Sequence, residues 1–444
     1  MAALDPRQHY GERFERFERT LGAPAPGWLK ALRKDAFGRF AELGFPTTKQ
    51  EEWRYTNVAP IAERAFELAA DGAAELSRED VEHHSFPVYA CSLFVFVNGR
   101  FAPRLSAPRA LSGTPSVESL AGVLEQAPER LEPYLAKLAP YEASSFAALN
   151  TAFLHDGALV HVPEGVSVEA PIHVVYLSLP DKSPGVSYPR TLVWLERGST
   201  ATVIEDYVCL GAGPGFTDAV SEVLLESNAQ LDLVRLQREC GDGFHVSAVQ
   251  VKQARDSRFT AHDLSLGGAL VRKDVAAELA GEGAECTLDG LYIASRGELV
   301  DNHTLIDHAH PQGTSRELYK GILGGAARGI FHGTIVVRAG AQKTDARQTN
   351  KNLLLSRDAE VDSKPQLEIA ADDVKCSHGS TIGQLDEASL FYLQTRGIEA
   401  LSARRLLMRA FASEVTSRIR QEPLRDELEE ILLERIAREE AGGP

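Results

Sequence analysis

A strand-rich quasi-repeat fills the middle of the chain, from Ala158 to about Leu385. Short runs of Val, Ile, Leu and Thr alternate there with turns made of Gly, Asp, Asn and Ser, as in TLVWLERGSTATVIEDYV. Such runs predict strands of about 4 to 8 residues separated by frequent turns. Residues 158–385 are therefore predicted to form a β core, and the fold class is mainly β.

One local pattern returns within this core: a polar turn, a small residue and an alternating strand. The small residues that mark it are Ser199, Ala229, Ser257, Ala284, Ala341 and Ala359. The first three intervals are 30, 28 and 27 residues, the fourth of 57 corresponds to about two units, and the last is only 18. A repeat of this size made of strands predicts a β-solenoid, whose stacked units share one core. A β-sandwich would have similar strands but needs no fixed period, so we favour the solenoid.

Residues 1–157 are predicted to form an N-terminal helical region with a short strand segment. Apolar residues recur at helical spacing from Pro6 to about Arg64, and again from Ser116 through Leu138 to His155. Between these stretches, Ser92 to Val97 is an apolar run typical of a strand.

Residues 386–444 return to helical periodicity and are predicted to form a C-terminal helical domain. Leu407, Phe411 and Val415 lie four residues apart, Ser402 is a suitable N-cap, and Pro423 stands near the start of a last helix. The narrow apolar stripe of that last helix could pack on its own domain or on a partner helix, and we favour its own domain.

Composition excludes several classes of function. The formal net charge is -16, from 63 acidic against 47 basic residues, so binding to nucleic acid is not expected. No stretch approaches the roughly 20 consecutive apolar residues of a membrane span, so no membrane association is expected.

The cysteines argue for a reducing compartment. They are five in number, and no two have the C-x-x-C spacing: Cys91, Cys209, Cys240, Cys286 and Cys376. An odd, dispersed set argues against a secreted disulfide framework and against a self-contained zinc or ferredoxin-like site. The N-terminal residues include Asp and Glu and lack the apolar segment of a signal peptide, so we expect a cytoplasmic location.

Several catalytic motifs are absent from the sequence. It lacks G-x-x-x-x-G-K-[ST], the phosphate cradle of P-loop ATPases, so we expect this chain to bind no nucleotide. It also lacks H-E-x-x-H and G-x-S-x-G, the commonest zincin and hydrolase signatures. We do not expect an enzyme.

A cysteine and a histidine separated by one residue stand near the end of the core, in DDVKCSHGSTIGQLD. On a strand, Cys376 and His378 would point to the same face, about 6 to 7 Å apart. A thiolate and an imidazole so placed could both bind one iron or zinc ion if a partner chain completed the ligand shell. From the residues alone, a structural cysteine beside an exposed histidine is the simpler interpretation.

A second histidine-rich segment, DNHTLIDHAHPQGTSREL, contains His303, His308 and His310 together with Asp301 and Asp307. His308 and His310 could share one strand face, with Asp307 orienting a ring. Polar side chains on an outward solenoid face are the favoured interpretation. For His332, within FHGTIVVRAG, we favour a buried histidine with satisfied hydrogen bonds.

Four segments together resemble the SufB/SufD family of iron-sulfur cluster assembly proteins, and more closely its SufD branch. They begin at Pro46 (PTTKQEEWRYTN), Asn150 (NTAFLHDGALVHVPEGV), Gly329 (GIFHGTIVVRAG and onward to Asp386) and Leu390 (LFYLQTRGI). SufB-type chains resemble one another in a Glu-His-Glu pattern where this chain has Ser377, His378 and Gly379, and this difference favours the SufD branch.

The resemblance implies a right-handed parallel β-helix flanked by helical regions. It also implies a complex in which this chain pairs with a SufB-type subunit through terminal β-helix strands, while each binds a SufC-type ATPase through its C-terminal helical region. A transient iron-sulfur cluster or iron is expected at the SufB-facing interface. In isolation, the open edge strands could instead form a homodimer.

Mapped onto this sequence, the family's functional histidine matches His378 and its nearby cysteine matches Cys376, as metal ligands shared with the SufB-type subunit. The SufB-facing edge would lie near residues 361–381, and the SufC-docking surface within residues 386–440. The interface residues expected from this mapping are Val374, Lys375, Ser377, Phe391, Leu407, Phe411 and Val415.

Two other functions stay open at this point. A structural adaptor would use Cys376 and His378 only for packing. A carbohydrate-active β-solenoid enzyme would need paired carboxylates in a groove, and Asp358, Glu360 and Asp362 do alternate along one strand, although alternating acids more often form a solvated face.

Overall fold

The computed structural model describes residues 6–20, 25–84, 86, 92–108, 115–179, 184–211 and 213–441. Cys91 therefore lies outside the described residues. The strands are β1 (Glu67–Leu68), β2 (Ser92–Val97), β3 (Arg100–Phe101), β4 (Ser116–Ser119), β5 (Gly157–Val162), β6 (Ile172–Ser178), β7 (Gly185–Ser187), β8 (Arg190–Leu195), β9 (Thr200–Cys209), β10 (Gly215–Leu225), β11 (Gln230–Arg238), β12 (Phe244–Gln253), β13 (Arg258–Ser265), β14 (Leu270–Leu279), β15 (Glu285–Ala294), β16 (Leu299–His308), β17 (Thr314–Leu323), β18 (Arg328–Val337), β19 (Asp345–Leu354), β20 (Glu360–Ile369) and β21 (Lys375–Gly383).

The helices are α1 (Pro6–Thr20), α2 (Gly27–Leu43), α3 (Ala59–Ala62), α4 (Arg78–Glu82), α5 (Leu120–Gln126), α6 (Ser145–Ala152), α7 (Glu387–Thr395), α8 (Ala400–Thr416) and α9 (Glu422–Ala441). Short 3-10 turns occur at Glu51–Trp53, Ala73–Glu75 and Pro128–Arg130. Among the helices of the described residues, none combines the length and hydropathy needed to cross a membrane.

Two long sheets form the core, and the chain alternates between them. Sheet A contains, in hydrogen-bonding order, β4, β5, β8, β10, β12, β14, β16, β18 and β20. Sheet B contains β3, β2, β6, β9, β11, β13, β15, β17, β19 and β21. From β8 onward each sheet is a parallel ladder, and one strand of each sheet makes up one rung. This architecture is a parallel β-helix, which confirms the predicted solenoid and excludes the sandwich.

The rung length explains the repeat in the sequence. Successive strands of sheet B begin at a nearly constant interval, which matches that of the small-residue markers: Thr200, Gln230, Arg258, Glu285, Thr314, Asp345 and Lys375. The irregular last interval between markers has a simple cause. Ala359 precedes β20 in sheet A, whereas the first four markers precede strands of sheet B. This short interval therefore joins turns of two different sheets.

Inward side chains of the two sheets form one continuous core. Each inward position stacks on the same position of the next rung, because the ladders are in register. Val203, Leu233, Ala261 and Leu288 form one such column in sheet B, and all four are buried. Burial of such apolar area against neighbouring rungs is the main stabilising contribution available to a solenoid.

The N-terminal region closes one end of the solenoid and covers the outer face of sheet A. Phe14, Phe40 and Phe153 join a buried cluster with outward residues of sheet A such as Phe216 and Phe244. At the same end, antiparallel pairing of β3 with β2 and of β4 with β5 terminates both ladders. The prediction of a helix beginning at Ser116 is wrong, because residues 116–119 form β4 and the helix starts only at Leu120.

The C-terminal helices cover the outer face of sheet B. One side of α9 is buried against α8 and sheet B, through Leu424, Leu428, Leu432 and Ile436. This packing confirms that the last helix docks on its own chain. Helix α8 begins at Ala400 with Glu399 at the N-cap, so the prediction of Ser402 as the cap is wrong.

The C-terminal end of the solenoid is left uncovered in the described chain. Strands β20 and β21 are the last members of sheets A and B, and each pairs along one edge only. Their residues are exposed or half-buried throughout, unlike the buried alternation of β18 and β19. The solenoid therefore presents two open edges and an open cross-section at this end.

Candidate functional site

Cys376 and His378 both lie on β21, at the open end of the solenoid. In the parallel ladder, Cys376 stands beside Ala346 and His378 beside Gln348. Both of these partners are buried inward residues of β19. Cys376 and His378 therefore continue columns of the interior and share one face, as the one-residue spacing predicts.

The two side chains are accessible only because the stack stops. His378 is exposed and Cys376 half-buried, although their columns are buried in every earlier rung of sheet B from β15 to β19. One further rung placed on β21 would bury both side chains. The side chains of Cys376 and His378 thus point along interior columns and are still accessible to any group that covers this end of the solenoid.

The column that ends at His378 changes character along the solenoid. After Val203, Leu233, Ala261 and Leu288 it continues through Glu317 and Gln348 to His378. Along this column the side chains change from apolar to polar within three rungs. Polar groups in a core are stabilising only when they are hydrogen-bonded, so their clustering near the open end needs a reason other than stability.

Glu317 is a buried acid held by two hydrogen bonds. Its carboxylate accepts from Thr304 Oγ1 at 2.5 Å and from Gln348 Nε2 at 2.7 Å. Burial raises the pKa of Glu317 to about 7, and the two hydrogen bonds only partly oppose this shift. This carboxyl can therefore gain or lose a proton near neutral pH, one rung away from Gln348 and two from His378. No sequence motif indicated this residue.

The thiol of Cys376 packs against the edge of the main core. Burial raises the pKa of this thiol above its ordinary value. A protonated thiol is a poor metal ligand, because the thiolate is the form that binds. A metal ion or a positively charged partner group would have to favour the thiolate.

The other residues expected at partner interfaces are distributed over two surfaces. Lys375 and Ser377 are exposed on β21, while Val374 packs against the last core layer.

On the helices, Phe391 is 69% exposed. Leu407 is half-buried, and Phe411 contacts Lys320, whose Nζ lies 3.8 Å from the ring centre. Val415 is fully buried between α8 and sheet B, so its side chain is not on the accessible surface.

His308 and His310 do not share one strand face as one interpretation required, because β16 ends at His308. His303 points outward, whereas His308 is fully buried and contacts Ser315 Oγ at 2.9 Å. His310 lies beyond the end of the strand and is exposed. The prediction that this segment lies on an outward face is therefore right for His303 and wrong for His308.

His332 is not the satisfied buried histidine that we predicted. Its Nε2 atom is buried and makes no hydrogen bond to the described residues, and its Nδ1 atom lies 3.7 Å from a carboxylate oxygen of Glu52. His303 packs against the same ring, with 4.8 Å between ring centres. These three residues form a cluster that sequence reasoning missed.

Two cysteines are joined although their sequence spacing gave no sign of it. Cys209 and Cys240 form a disulfide with Cα atoms 5.4 Å apart and a separation of 31 residues. That separation is one rung of the solenoid, so stacking brings the two cysteines side by side. The dispersed cysteine count did not predict this pair, but the repeat period could have found it.

Two of the three acids considered for carbohydrate chemistry, Glu360 and Asp362, form ion pairs with one arginine. Arg328 Nη2 lies 2.6 Å from Asp362, and its Nε lies 3.8 Å from Glu360. This arrangement agrees with a solvated, ion-paired face.

Two family models match most of the chain. Residues 178–411 match the family model described as SUF system FeS cluster assembly, SufBD core domain, and residues 4–174 match that described as SufBD protein N-terminal region. The chain belongs to the SufBD family, and to its SufD type. The core match contains every rung from β8 to β21, together with Cys376 and His378.

Relatives extend this SufBD assignment over nearly the whole length. An iron-sulfur cluster assembly SufBD family protein of Synechocystis is 34% identical over 87% of this chain and 86% of its own. The iron-sulfur cluster assembly protein SufD of Escherichia coli is 32% identical over 90% of both chains. SufD of Bacillus subtilis is 26% identical over 93% of this chain and 94% of its own.

The raised pKa of Glu317 predicts that the stability of the folded chain depends on pH. Because the folded-state pKa of about 7 lies above the ordinary value of 4.5, the folded chain binds the extra proton, and stability should fall as pH rises between these values. A shift of this size corresponds to about 3 kcal/mol. We expect Glu317→Gln, which keeps the shape of the protonated acid, to be more stable than wild type at pH 8 and similar to it near pH 4.5.

Denaturant unfolding midpoints across this pH range measure the effect. Glu285→Gln is the matched control, because Glu285 is an exposed glutamate on β15, next to β17, which carries Glu317. Its stability should follow that of wild type at every pH. Parallel pH profiles for wild type and Glu317→Gln would contradict the assignment.

Proposed function

We propose that this chain is the SufD-type subunit of an ATPase-driven scaffold for iron-sulfur cluster assembly. The observation that supports it best is the uncovered terminal rung, where interior columns end in an exposed imidazole and a half-buried thiol. Iron and sulfide are cargo in this proposal, not resident groups of the chain. The chain contributes ligands and shape, turns over no substrate itself, and acts in the cytoplasm.

A SufB-type subunit is the proposed cover for the open end. Edges β20 and β21 each offer a row of unpaired backbone donors and acceptors, which are ready-made for pairing with another chain. Ile369 and Ile382 are large apolar residues exposed on these two strands. A partner rung stacked on them would bury these side chains and bring its own ligands opposite Cys376 and His378.

The ligand count makes a shared site the natural arrangement. One thiolate and one imidazole cannot close the four-coordinate shell that iron or zinc adopts with such ligands. Ligands from the second subunit would complete it at the interface. Isolated chains could also pair with each other through the same edges, giving the homodimer expected from the sequence.

The C-terminal helices are the proposed docking surface for a SufC-type ATPase. Helices α8 and α9 use one side to cover sheet B, yet α7 and α8 keep large apolar residues exposed: Phe391, Tyr392, Leu401 and Leu406. Exposed apolar side chains on one region indicate a protein contact surface. Nucleotide would be bound by that partner, because this sequence has no P-loop.

A charged contact connects the proposed docking helices to the terminal rung. Glu414 on α8 accepts hydrogen bonds from Lys320 on β17 at 2.7 Å and from Lys351 on β19 at 3.0 Å. Strand β19 is the direct neighbour of β21. Movement of α8 upon ATP binding by the partner would thus be transmitted to the strand that supports Cys376 and His378. Such a coupling requires an interface with two alternative arrangements.

Replacing His378 tests the proposed site. With SufB-type and SufC-type partners co-expressed, we expect His378→Ala to assemble normally, because the side chain is exposed and makes no core contact, but to accumulate at least tenfold less cluster. Size-exclusion chromatography measures assembly, while visible absorbance and acid-labile sulfide measure the cluster.

His310→Ala is the control, since His310 is an exposed histidine outside the terminal rung. It should behave as wild type in both assays. Normal cluster content in both His378→Ala and Cys376→Ala would instead favour the structural adaptor.

Replacing Phe391 tests the ATPase surface. Because Phe391 is 69% exposed, Phe391→Ala should leave the thermal midpoint within a few degrees of wild type while lowering affinity for the SufC-type subunit about tenfold or more. Isothermal titration with the purified ATPase measures the affinity. The matched comparison is Leu305→Ala, an exposed apolar residue on sheet A, and equal affinities for the two variants would argue against this surface.

A further inference from the structure

We propose that Glu52, His303 and His332 form a binding site for a divalent first-row transition metal on the outer face of sheet A. This site is separate from Cys376 and His378, and the inference does not depend on the proposed function. One ligand atom from each of the three side chains lies within 4.8 Å of the others.

The solenoid itself places the two histidines together. His303 on β16 stands beside His332 on β18 in the parallel register, flanked in the same column by Asp274 and Lys364. Adjacent strands lie about 4.8 Å apart, so outward imidazoles at one column position are neighbours. The stretch of chain between the two histidines is one complete rung.

The third ligand comes from the N-terminal segment that crosses this face. The backbone carbonyl of Glu52 accepts a hydrogen bond from Arg272 Nη1 at 2.8 Å. The guanidinium of the same arginine lies 4.2 Å from the ring centre of Trp53. These contacts fix the segment on sheet A and direct the Glu52 carboxylate to the histidine pair.

The interatomic distances suit a metal better than direct hydrogen bonds. Glu52 Oε2 lies 3.6 Å from Nδ1 of His303 and 3.7 Å from Nδ1 of His332, both beyond hydrogen-bond length. Ligand atoms bound at about 2.0–2.2 Å in a tetrahedral site are roughly 3.3–3.6 Å apart. The oxygen therefore already lies close to this separation from each nitrogen, and the two nitrogens, which lie within 4.8 Å of each other, would have to approach by at most about 1.5 Å to bind the same ion.

A second carboxylate orients one of the rings. Nε2 of His303 lies 3.1 Å from Asp301 Oδ1, and Asp301 is itself held by Arg272 at 2.6 Å and by Thr56 at 2.5 Å. If a metal ion replaced the proton on Nδ1, the proton kept on Nε2 and directed at Asp301 would leave the Nδ1 lone pair facing the ion beside Glu52. Carboxylate, histidine and metal in this order is the usual outer-shell arrangement of histidine metal sites.

Neighbouring charges do not compete for the three ligands. Glu51 pairs with Lys364 at 2.8 Å, and Asp274 pairs with Arg272 at 2.8 Å. Glu51 is thus paired with Lys364, while Asp274 shares Arg272 with Asp301. The histidines are mostly buried, while Glu52 is 64% exposed at the border of a cleft of about 570 Å³.

Two nitrogens and one carboxylate oxygen define the class of ion. Such a set favours borderline divalent metals such as zinc, cobalt or iron over calcium or magnesium, which prefer oxygen ligands alone. Three protein ligands facing a cleft leave at least one coordination position for water or an exogenous ligand. The ion would also join the N-terminal segment to the solenoid.

Cobalt titration of the full-length chain tests the site. The parent protein carries Cys376→Ala and His378→Ala, so that the terminal rung contributes no binding, and no reductant is added, so that Cys209 and Cys240 stay joined. We expect one equivalent of Co²⁺ to give visible d–d bands without sulfur charge transfer, and Zn²⁺ to displace it. Zn²⁺ should also raise the thermal midpoint of the parent in a concentration-dependent way.

In this parent, Glu52→Gln and His332→Ala should each lower the affinity for Zn²⁺ by at least tenfold and remove the thermal shift. Glu52→Gln keeps the test decisive if the histidine variant folds poorly, because Glu52 is exposed. His161→Ala is the matched control, since His161 also lies on sheet A beside one carboxylate, Glu196, at 2.9 Å. It should bind metal like the parent.

Absence of a one-equivalent complex in the parent, or equal affinities in the parent, Glu52→Gln and His332→Ala, would overturn the inference. Neither result would bear on the terminal rung, which is removed from this assay. Conversely, normal cluster content in both the His378→Ala and the Cys376→Ala complexes would overturn the proposed function and leave this site standing.

Discussion

The whole structure depends on the parallel ladder between successive rungs. A strand in such a solenoid satisfies its backbone groups and buries its inward side chains only where another strand lies on each side. Antiparallel strands and packed helices meet this requirement at the N-terminal end. At the other end, β20 and β21 each have a neighbouring strand on one side only, and the interior of the solenoid is open in cross-section. A subunit that supplies the next rung would meet the same requirement there, which is why we place the functional interface at this end.

The composition of the interior changes toward that open end. The column that leads to His378 begins with aliphatic residues and finishes with Glu317, Gln348 and His378. Buried polar side chains are costly unless paired, and the amide oxygen of Gln348 remains unpaired among the described residues. A core selected for stability alone would have kept its aliphatic residues. Under the proposed function, metal binding at His378 would give the polar end of this column a use.

Periodicity made most of the fold predictable. The rungs are nearly equal in length, and small residues recur before the strands at that interval, where their side chains are buried. The helix predicted from Ser116 failed because β4 exists only through pairing with β5, and helices α5 and α6 separate these two strands in the sequence. Local periodicity carries no information about such pairing. Val415 lies on the apolar stripe of α8 that the helical spacing predicts. This stripe packs against sheet B, so it is not available to a partner.

Candidate site residues were predictable where their spacing was local. Cys376 and His378 are separated by a single residue, and the alternation of side chains along a strand places them on one face. His303 with His332, and Cys209 with Cys240, are one rung apart, so their proximity follows only once the rung length is known. Glu52 belongs to the N-terminal region, far from His303 in the sequence, and only the docking of its segment brings it there. The candidate site residues are thus brought together over three ranges of sequence separation, and sequence pattern alone reveals only the shortest.

Hydrogen exchange of the terminal strands tests most directly the claim that a second subunit completes the solenoid. The amides of residues 360–369 and 375–383 should exchange rapidly along the outer edges of β20 and β21 in the isolated monomer. Addition of the SufB-type subunit should slow these amides by orders of magnitude, while strands such as β12 and β13 stay unchanged. A stable complex in which residues 360–383 exchange as fast as in the monomer would contradict the account.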